Sequence, residues 1–233
     1  MLAVFRRQCK ALFYSWHFYG FLAAFLGFVG VLTMIFHVSY QYSNVEYLLS
    51  YLTVVLSLLL PILTSFLFRE ERKRGVARFL RSLPLSERDI VLGKYLSLLA
   101  LLGALSFLLL LLPMLLGIWG KVYYASAYMG IFGFFLFGFA LLSIDVFLAL
   151  CFKNHWVALS VTYGVTAALI ALGYLSSYVP EFLKETVADI SLFGAYAPFV
   201  FGITDLRAVV LYLSVGVLFL LLTVWFSPRL WKE

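Results

Sequence analysis

The chain has 233 residues, 64% of them hydrophobic and 12% charged, with 17 Lys and Arg against 11 Asp and Glu for a formal charge of +6. Soluble domains average about 45–50% apolar and about 25% charged residues, so a soluble single-domain enzyme is excluded. At about 20 residues per spanning helix, there is room for around six spans and no separate extramembrane domain.

Residues 1–17 form a two-faced helix at about 100° per residue. Leu2, Phe5, Cys9, Leu12, Phe13 and Trp16 fall on one side, and Arg6, Arg7, Lys10, Tyr14 and His17 on the other. Such a helix lies in the membrane interface with its basic groups near anionic headgroups. The apolar run that follows is span-length and lacks a small-residue cleavage site, so it is expected to be retained rather than removed as a signal peptide.

Six apolar stretches follow, at 18–38, 47–68, 95–119, 127–152, 156–178 and 207–226. Backbone groups in lipid must be satisfied internally, and Leu-rich runs without alternation exclude a membrane barrel. The expected fold is all-α and membrane-embedded, a single transmembrane domain over 1–233. Alternating the spans from an inside N-terminus leaves only Lys121, Lys184 and Arg207 outside. The other fourteen basic residues are inside, so both termini are expected in the cytosol. The positive charge is then a topology signal, and no nucleic-acid partner is needed. Cys9 and Cys151 form no disulfide framework or metal-ligand spacing.

The segment 68–94 is the densest in charge, with eight basic and four acidic residues between Arg69 and Lys94. Val76, Phe79, Leu80 and Leu83 recur at helical spacing, opposite Arg74, Arg78 and Arg81. Pro84 stops that helix, and Ser86 with Glu87 and Asp89 begins the next. The apolar stripe points to docking, on protein or on the membrane surface. The outer segment 179–206, interrupted by Pro180, Gly194, Pro198 and Gly202, fits two short helices at or dipping into the outer leaflet. Such backbone requires a protein cover or a water-filled cavity.

These residues resemble the ABC-2 type transporter permeases, the six-helix membrane subunits of ABC exporters. The resemblance rests on Glu70-Glu71, Gly75, Phe79 and Leu80, then Ser82-Leu83-Pro84-Leu85-Ser86 and Leu92-Gly93-Lys94. The closing stretch, with Asp205-Leu206-Arg207 before the last span and a basic, aromatic tail, is similar to the gliding-motility-associated and nitrous-oxide-maturation-like branch. The resemblance implies that 1–17 is an elbow helix, 70–82 a coupling helix for a cytosolic ATPase, and 179–206 a pair of re-entrant helices. The coupling surface would comprise Glu70, Glu71, Arg72, Gly75, Val76, Phe79, Leu80, Leu83 and Pro84. Spans 2 and 5 would face a dimer axis, making Thr53, Ser57, Thr162 and Thr166 candidates for a pathway lining. Only about eight residues separate spans 1 and 2, so the large outer domain of bigger exporters is missing.

Gly93-Lys94 is followed by Tyr95 rather than Ser or Thr, so the chain lacks a phosphate-binding loop. ATP and Mg are therefore expected on a partner ATPase, with no cofactor, metal or catalytic residue in this chain. His17, His37 and His155 are scattered and form no zinc-helix motif. Asp145 is the one acid well inside a span, about two turns before Lys153. An intramembrane acid is a functional candidate, weighed against a water-reachable carboxylate pairing with a basic group near the inner interface. No basic residue is expected at its depth. Pairs of small residues, Gly20 with Ala24, Ala23 with Gly27 and Gly164 with Ala168, suggest close helix approach.

The resulting expectation is an exporter permease in the inner membrane of a prokaryotic cell. Its partners would be an ATPase subunit, a second identical or related permease, membrane lipids and an accessory extracytoplasmic protein. The alternative is an ATP-independent carrier, or a membrane scaffold whose basic loop binds anionic lipid.

Overall fold

Proline, glycine and the limits of the apolar runs divide the chain into helices, seen in a computed structural model that describes residues 2–39, 45–73, 87–118, 121–152, 154–175 and 191–230. Leu2–Phe13 is α1 and Trp16–Thr33 is α2, which closes in a π-helical stretch, Met34–Ser39. Val45–Lys73 is α3, Glu87–Leu109 is α4, Leu111–Gly117 is α5 and Tyr124–Cys151 is α6. His155–Leu175 is α7; a 3-10 turn, Gly194–Tyr196, leads into the short α8, Ala197–Val200, and Leu206–Leu230 is α9. Among the described residues there is no strand.

Six helices are long and apolar enough to cross a membrane: Trp16–Phe36, Tyr47–Phe68, Arg88–Gly117, Tyr124–Cys151, His155–Gly173 and Leu206–Ser227. Six were expected; the expected ends at 119 and 178 lie outside the described residues, and the third begins earlier than its expected start at 95. There α4 starts at Glu87, the residue after the expected cap Ser86, which lies outside the described residues. Pro113, which has no amide to donate, follows the break at Leu110 that separates α4 from α5.

The hub is α6. Some 72% of its membrane-length window is buried, against 17% for α7 and for α9. It packs against α3, α4, α7, α8 and α9. Its glycines make this possible. A Cβ at Gly130 would lie 2.8 Å from Leu49 of α3, and one at Gly138 would lie 2.7 Å from Leu102 of α4. One at Gly133 would lie 2.6 Å from Phe199 of α8, and on α9 a Cβ at Gly216 would strike the Phe139 ring. Helices in lipid associate through such close packing, because lipid tails offer no hydrophobic drive between them.

The small pairs picked out by spacing behave differently. Gly20, Gly27 and Gly164 have nothing within 4 Å of a built Cβ. Spacing shows that a surface is smooth but not which helix arrives there.

The described part of the segment 179–206 packs onto this hub. Leu192, Tyr196 and Phe199 are buried, with Phe199 at 0% exposure. The Tyr196 hydroxyl donates to the Gly130 carbonyl at 3.0 Å, and the Tyr212 hydroxyl of α9 donates to the Leu192 carbonyl at 2.7 Å. Gly202, at φ 74°, takes the left-handed turn that ends α8. Protein thus covers the buried positions 191, 192, 195, 196, 199 and 200 of this stretch, while Phe201 is 70% exposed; residues 179–190 lie outside the described residues. Tyr212→Phe should cost about 0.6–1.5 kcal/mol by leaving the Leu192 carbonyl unpaired, read as a lower unfolding midpoint in detergent.

At the other end of the molecule, α1 breaks from α2 at Ser15, whose backbone is extended (φ −85°, ψ 129°). From there α1 folds mainly against α4. Among its residues 5–13, Gln8 and Leu12 are buried, with Phe5 and Cys9 half-buried. Phe13 and Trp16, expected on the apolar side, are 57% and 86% exposed. The helix ends before the wheel carries Trp16 round, and the packed face is narrower than the sequence pattern.

Candidate functional site

Three features of the bundle bear on function: the polar residues of α3 and α7, a neutral cavity below the outer segment, and two buried ionisable side chains.

The four candidate lining residues are all buried: Thr53 at 2%, Ser57 at 0%, Thr162 at 4% and Thr166 at 2% exposure. Ala158, Thr162 and Thr166, each four apart, are the buried positions of α7 and form the stripe it turns inward. Each candidate hydroxyl is bonded to its own helix, Thr53 to the Ser50 carbonyl and Ser57 to that of Val54, both at 2.7 Å. Thr162 donates to Ala158 at 2.8 Å and Thr166 to Thr162 at 2.9 Å. Self-satisfaction of this kind lets a hydroxyl sit in an apolar layer without a partner helix. A bond between helices comes from Tyr163 of α7, which donates to the Leu58 carbonyl of α3 at 2.7 Å, near Pro61.

Thr53 also borders a cavity of about 300 Å³ between α3, α7 and the outer segment, walled by Tyr47, Ser50, Phe193, Tyr196 and Phe201 among others. A cleft of about 380 Å³ shares Tyr47, Val200 and Phe201 with it and reaches Tyr123 and Ser126. Among the described residues, neither is lined by a charged side chain. The chemistry is aromatic and hydroxylic, suited to a neutral or amphipathic group.

Asp145 of α6 is 1% exposed, and neither carboxylate oxygen has a hydrogen-bond partner. This corrects the expectation of a water-reachable, paired carboxylate. It also corrects the expectation of no base at that depth. On the antiparallel helices α4 and α6, Leu102 meets Gly138 and Tyr95 bonds Ser143 at 2.8 Å. That register brings Lys94 to the level of Asp145. Lys94, counted in the sequence as a loop residue, is 1% exposed, with its ammonium 4.6 Å from the centre of the Phe68 ring. The signal was present in the adjoining apolar run: a lysine that begins a span-length stretch is as much helix as loop.

Histidines scattered in the sequence also converge. His17 stacks on Phe66 at 4.4 Å between centroids, and His155 meets that ring at 4.8 Å. The starts of α2 and α7 thereby meet the end of α3. Cys9 and Cys151 are both free, and burial pushes the Cys9 thiol above its ordinary pKa, away from a reactive thiolate.

The expected coupling surface is only partly described. α3 runs on past Phe68 to Lys73, so the backbone of Glu70, Glu71 and Arg72 continues the helix of the second span. Gly75, Val76, Phe79, Leu80, Leu83 and Pro84 lie outside the described residues.

Two comparisons complete the picture. No curated protein matches the chain. The family model of the ABC-2 family transporter proteins matches residues 21–227, a stretch that takes in all six membrane-length helices apart from the first residues of α2. The chain is therefore an integral membrane protein that belongs to the ABC-2 transporter family.

Proposed function

We propose that the chain is the membrane subunit of an ABC exporter, worked by separate ATPase chains that dock on 70–82. The observation that carries this reading is family membership over 21–227, joined to the continuation of α3 beyond its membrane-length part to Lys73. Glu70, Glu71 and Arg72 stand on that continuation. Gly75, Val76, Phe79, Leu80, Leu83 and Pro84 complete the docking segment, with Phe79 and Leu80 as its apolar anchors. Closure of the partner ATPases moves this segment, and α3 carries the movement into the bundle.

ATP and Mg belong to the partner, consistent with the missing phosphate loop here. Two permeases, identical or related, pair about a two-fold axis. The path between them draws on Thr53, Ser57, Thr162 and Thr166, and the neutral cavity beside Thr53 favours an apolar or amphipathic cargo. The basic end faces the cytosol of a prokaryotic cell, and an accessory extracytoplasmic protein is a further partner at the outer end.

The test is affinity capture of the tagged chain from its native membrane. An ABC-type ATPase should accompany the wild type. Phe79→Ser with Leu80→Ser should reduce that capture at least tenfold while the subunit stays inserted. Absence of any ATPase from the wild-type capture would sink the proposal.

A further inference from the structure

The exposed face of α1 has a composition that its packing leaves unexplained. Its inner side, Gln8 and Leu12 with Phe5 and Cys9, is taken up against α4. Part of the apolar surface that would let an isolated amphipathic helix sink into a membrane is therefore already spent on protein. Arg6, Arg7 and Lys10 all remain exposed. The side chain of none of the three makes an ion pair or hydrogen bond among the described residues. Beside them stand Phe13 at 57%, Tyr14 at 90% and Trp16 at 86% exposure.

At about 100° per residue, Arg6, Arg7, Lys10, Phe13 and Tyr14 fall within a sector of about 120°. Three unpaired cations and two aromatic rings thus share one side of α1, and the exposed Trp16 follows them beyond the break at Ser15. Aromatic rings with a polar handle settle at headgroup level, where cations meet phosphate.

We propose that this side of α1 is a binding surface for anionic phospholipid headgroups, with Arg6, Arg7 and Lys10 holding the phosphates and Phe13, Tyr14 and Trp16 inserted at headgroup depth. The surface is fixed to the bundle, so the bound lipid is recognised by a preformed array. The array sits on α4, the helix that follows the densely charged segment, so lipid charge acts directly on the position of α4. This inference does not rest on an ATPase partner. It is also separate from the arginines at 74, 78 and 81, which lie on a different stretch of chain.

The full chain, purified in a neutral detergent doped equally with phosphatidylglycerol and phosphatidylcholine, would be examined by native mass spectrometry for retained lipid. The wild type should retain phosphatidylglycerol preferentially, and less so as salt is raised. A basic side chain near an anionic surface is worth about fivefold in affinity. The triple variant R6Q/R7Q/K10Q should therefore lose the preference by at least tenfold, while the charge-keeping variant R6K/R7K/K10R retains it. An unchanged preference in the glutamine variant would overturn the proposal. So would equal loss in the charge-keeping variant, which would mark a fold defect, or loss confined to R74Q/R78Q/R81Q, which would place the lipid on the other segment.

Discussion

Replacing Gly133 with leucine should destabilise the chain by about 1–3 kcal/mol, the usual cost of forcing methylenes into a packed core. The effect should be local to the outer segment. A Cβ at 133 would already stand 2.6 Å from Cγ of Phe199, a side chain with no exposure and therefore nowhere to retreat. The clash would lift α8 from α6, together with the Tyr196 bond to the Gly130 carbonyl. Unfolding in detergent should show the loss, and proteolysis should become faster within 191–205. Phe199→Ala alone empties a buried ring site and should cost about 3–5 kcal/mol. In the Gly133→Leu background the same change should cost much less, because the new side chain fills the vacated space. Gly164→Leu is the control; with nothing within 4 Å of its Cβ, it should leave stability within about 0.5 kcal/mol. Equal effects at 133 and 164 would show that α8 does not seat on α6 in this way.

Asp145→Leu should have the opposite sign, stabilising the isolated chain by about 1–3 kcal/mol. A buried polar group without a partner costs about that much, and more when charged. Leucine has nearly the right size and nothing to satisfy. Asp145→Asn should gain less, since an amide in the same place still needs partners. Unfolding midpoints of the three proteins under one detergent condition decide the matter. A wild type more stable than Asp145→Leu would mean that the carboxylate has a partner. If the substitution raises stability and lowers transport, the acid is kept at the expense of the fold, as intramembrane acids at working sites are.

These two predictions also show where sequence reading succeeds and fails in this chain. The six spans were legible because a membrane asks one coarse property of about 20 consecutive residues, and each run satisfies it without reference to its neighbours. Of the two short helices expected over 179–206, the described part holds the 3-10 turn Gly194–Tyr196 and the four-residue α8. Close approach was not legible. Gly20, Gly27 and Gly164 have the right spacing yet face open space, while Gly130, Gly133 and Gly138 are met by Leu49, Phe199 and Leu102 from three separate helices. Which residue arrives opposite a glycine is a tertiary fact, absent from any local window. The same holds for the polar residues. Thr53, Ser57, Thr162 and Thr166 were found by type, and they are indeed buried, but their hydroxyls serve their own helices. Lys94 was misjudged because positive residues before a span are normally topological. Here the Phe68 ring supplies a face on which an ammonium can be buried.

One consequence follows from the 29-residue length of α3 and the proline inside it. At 1.5 Å per residue, the helix is roughly 43 Å long, well beyond an apolar bilayer core of about 30 Å. Pro61 has no amide for the Ser57 carbonyl, yet α3 runs through it as one helix, held one turn away by the Tyr163 bond from α7 to the Leu58 carbonyl. That position divides α3 into a lever with unequal arms, about 18 Å towards Lys73 and about 24 Å towards Val45. A sideways push of about 3 Å at the short end, pivoting at Pro61, becomes about 4 Å at the long one. Tyr47, which walls both neutral cavities, rides near the tip of the long arm. A small displacement applied at the Lys73 end would thus be amplified at the Tyr47 end, where the two neutral cavities lie.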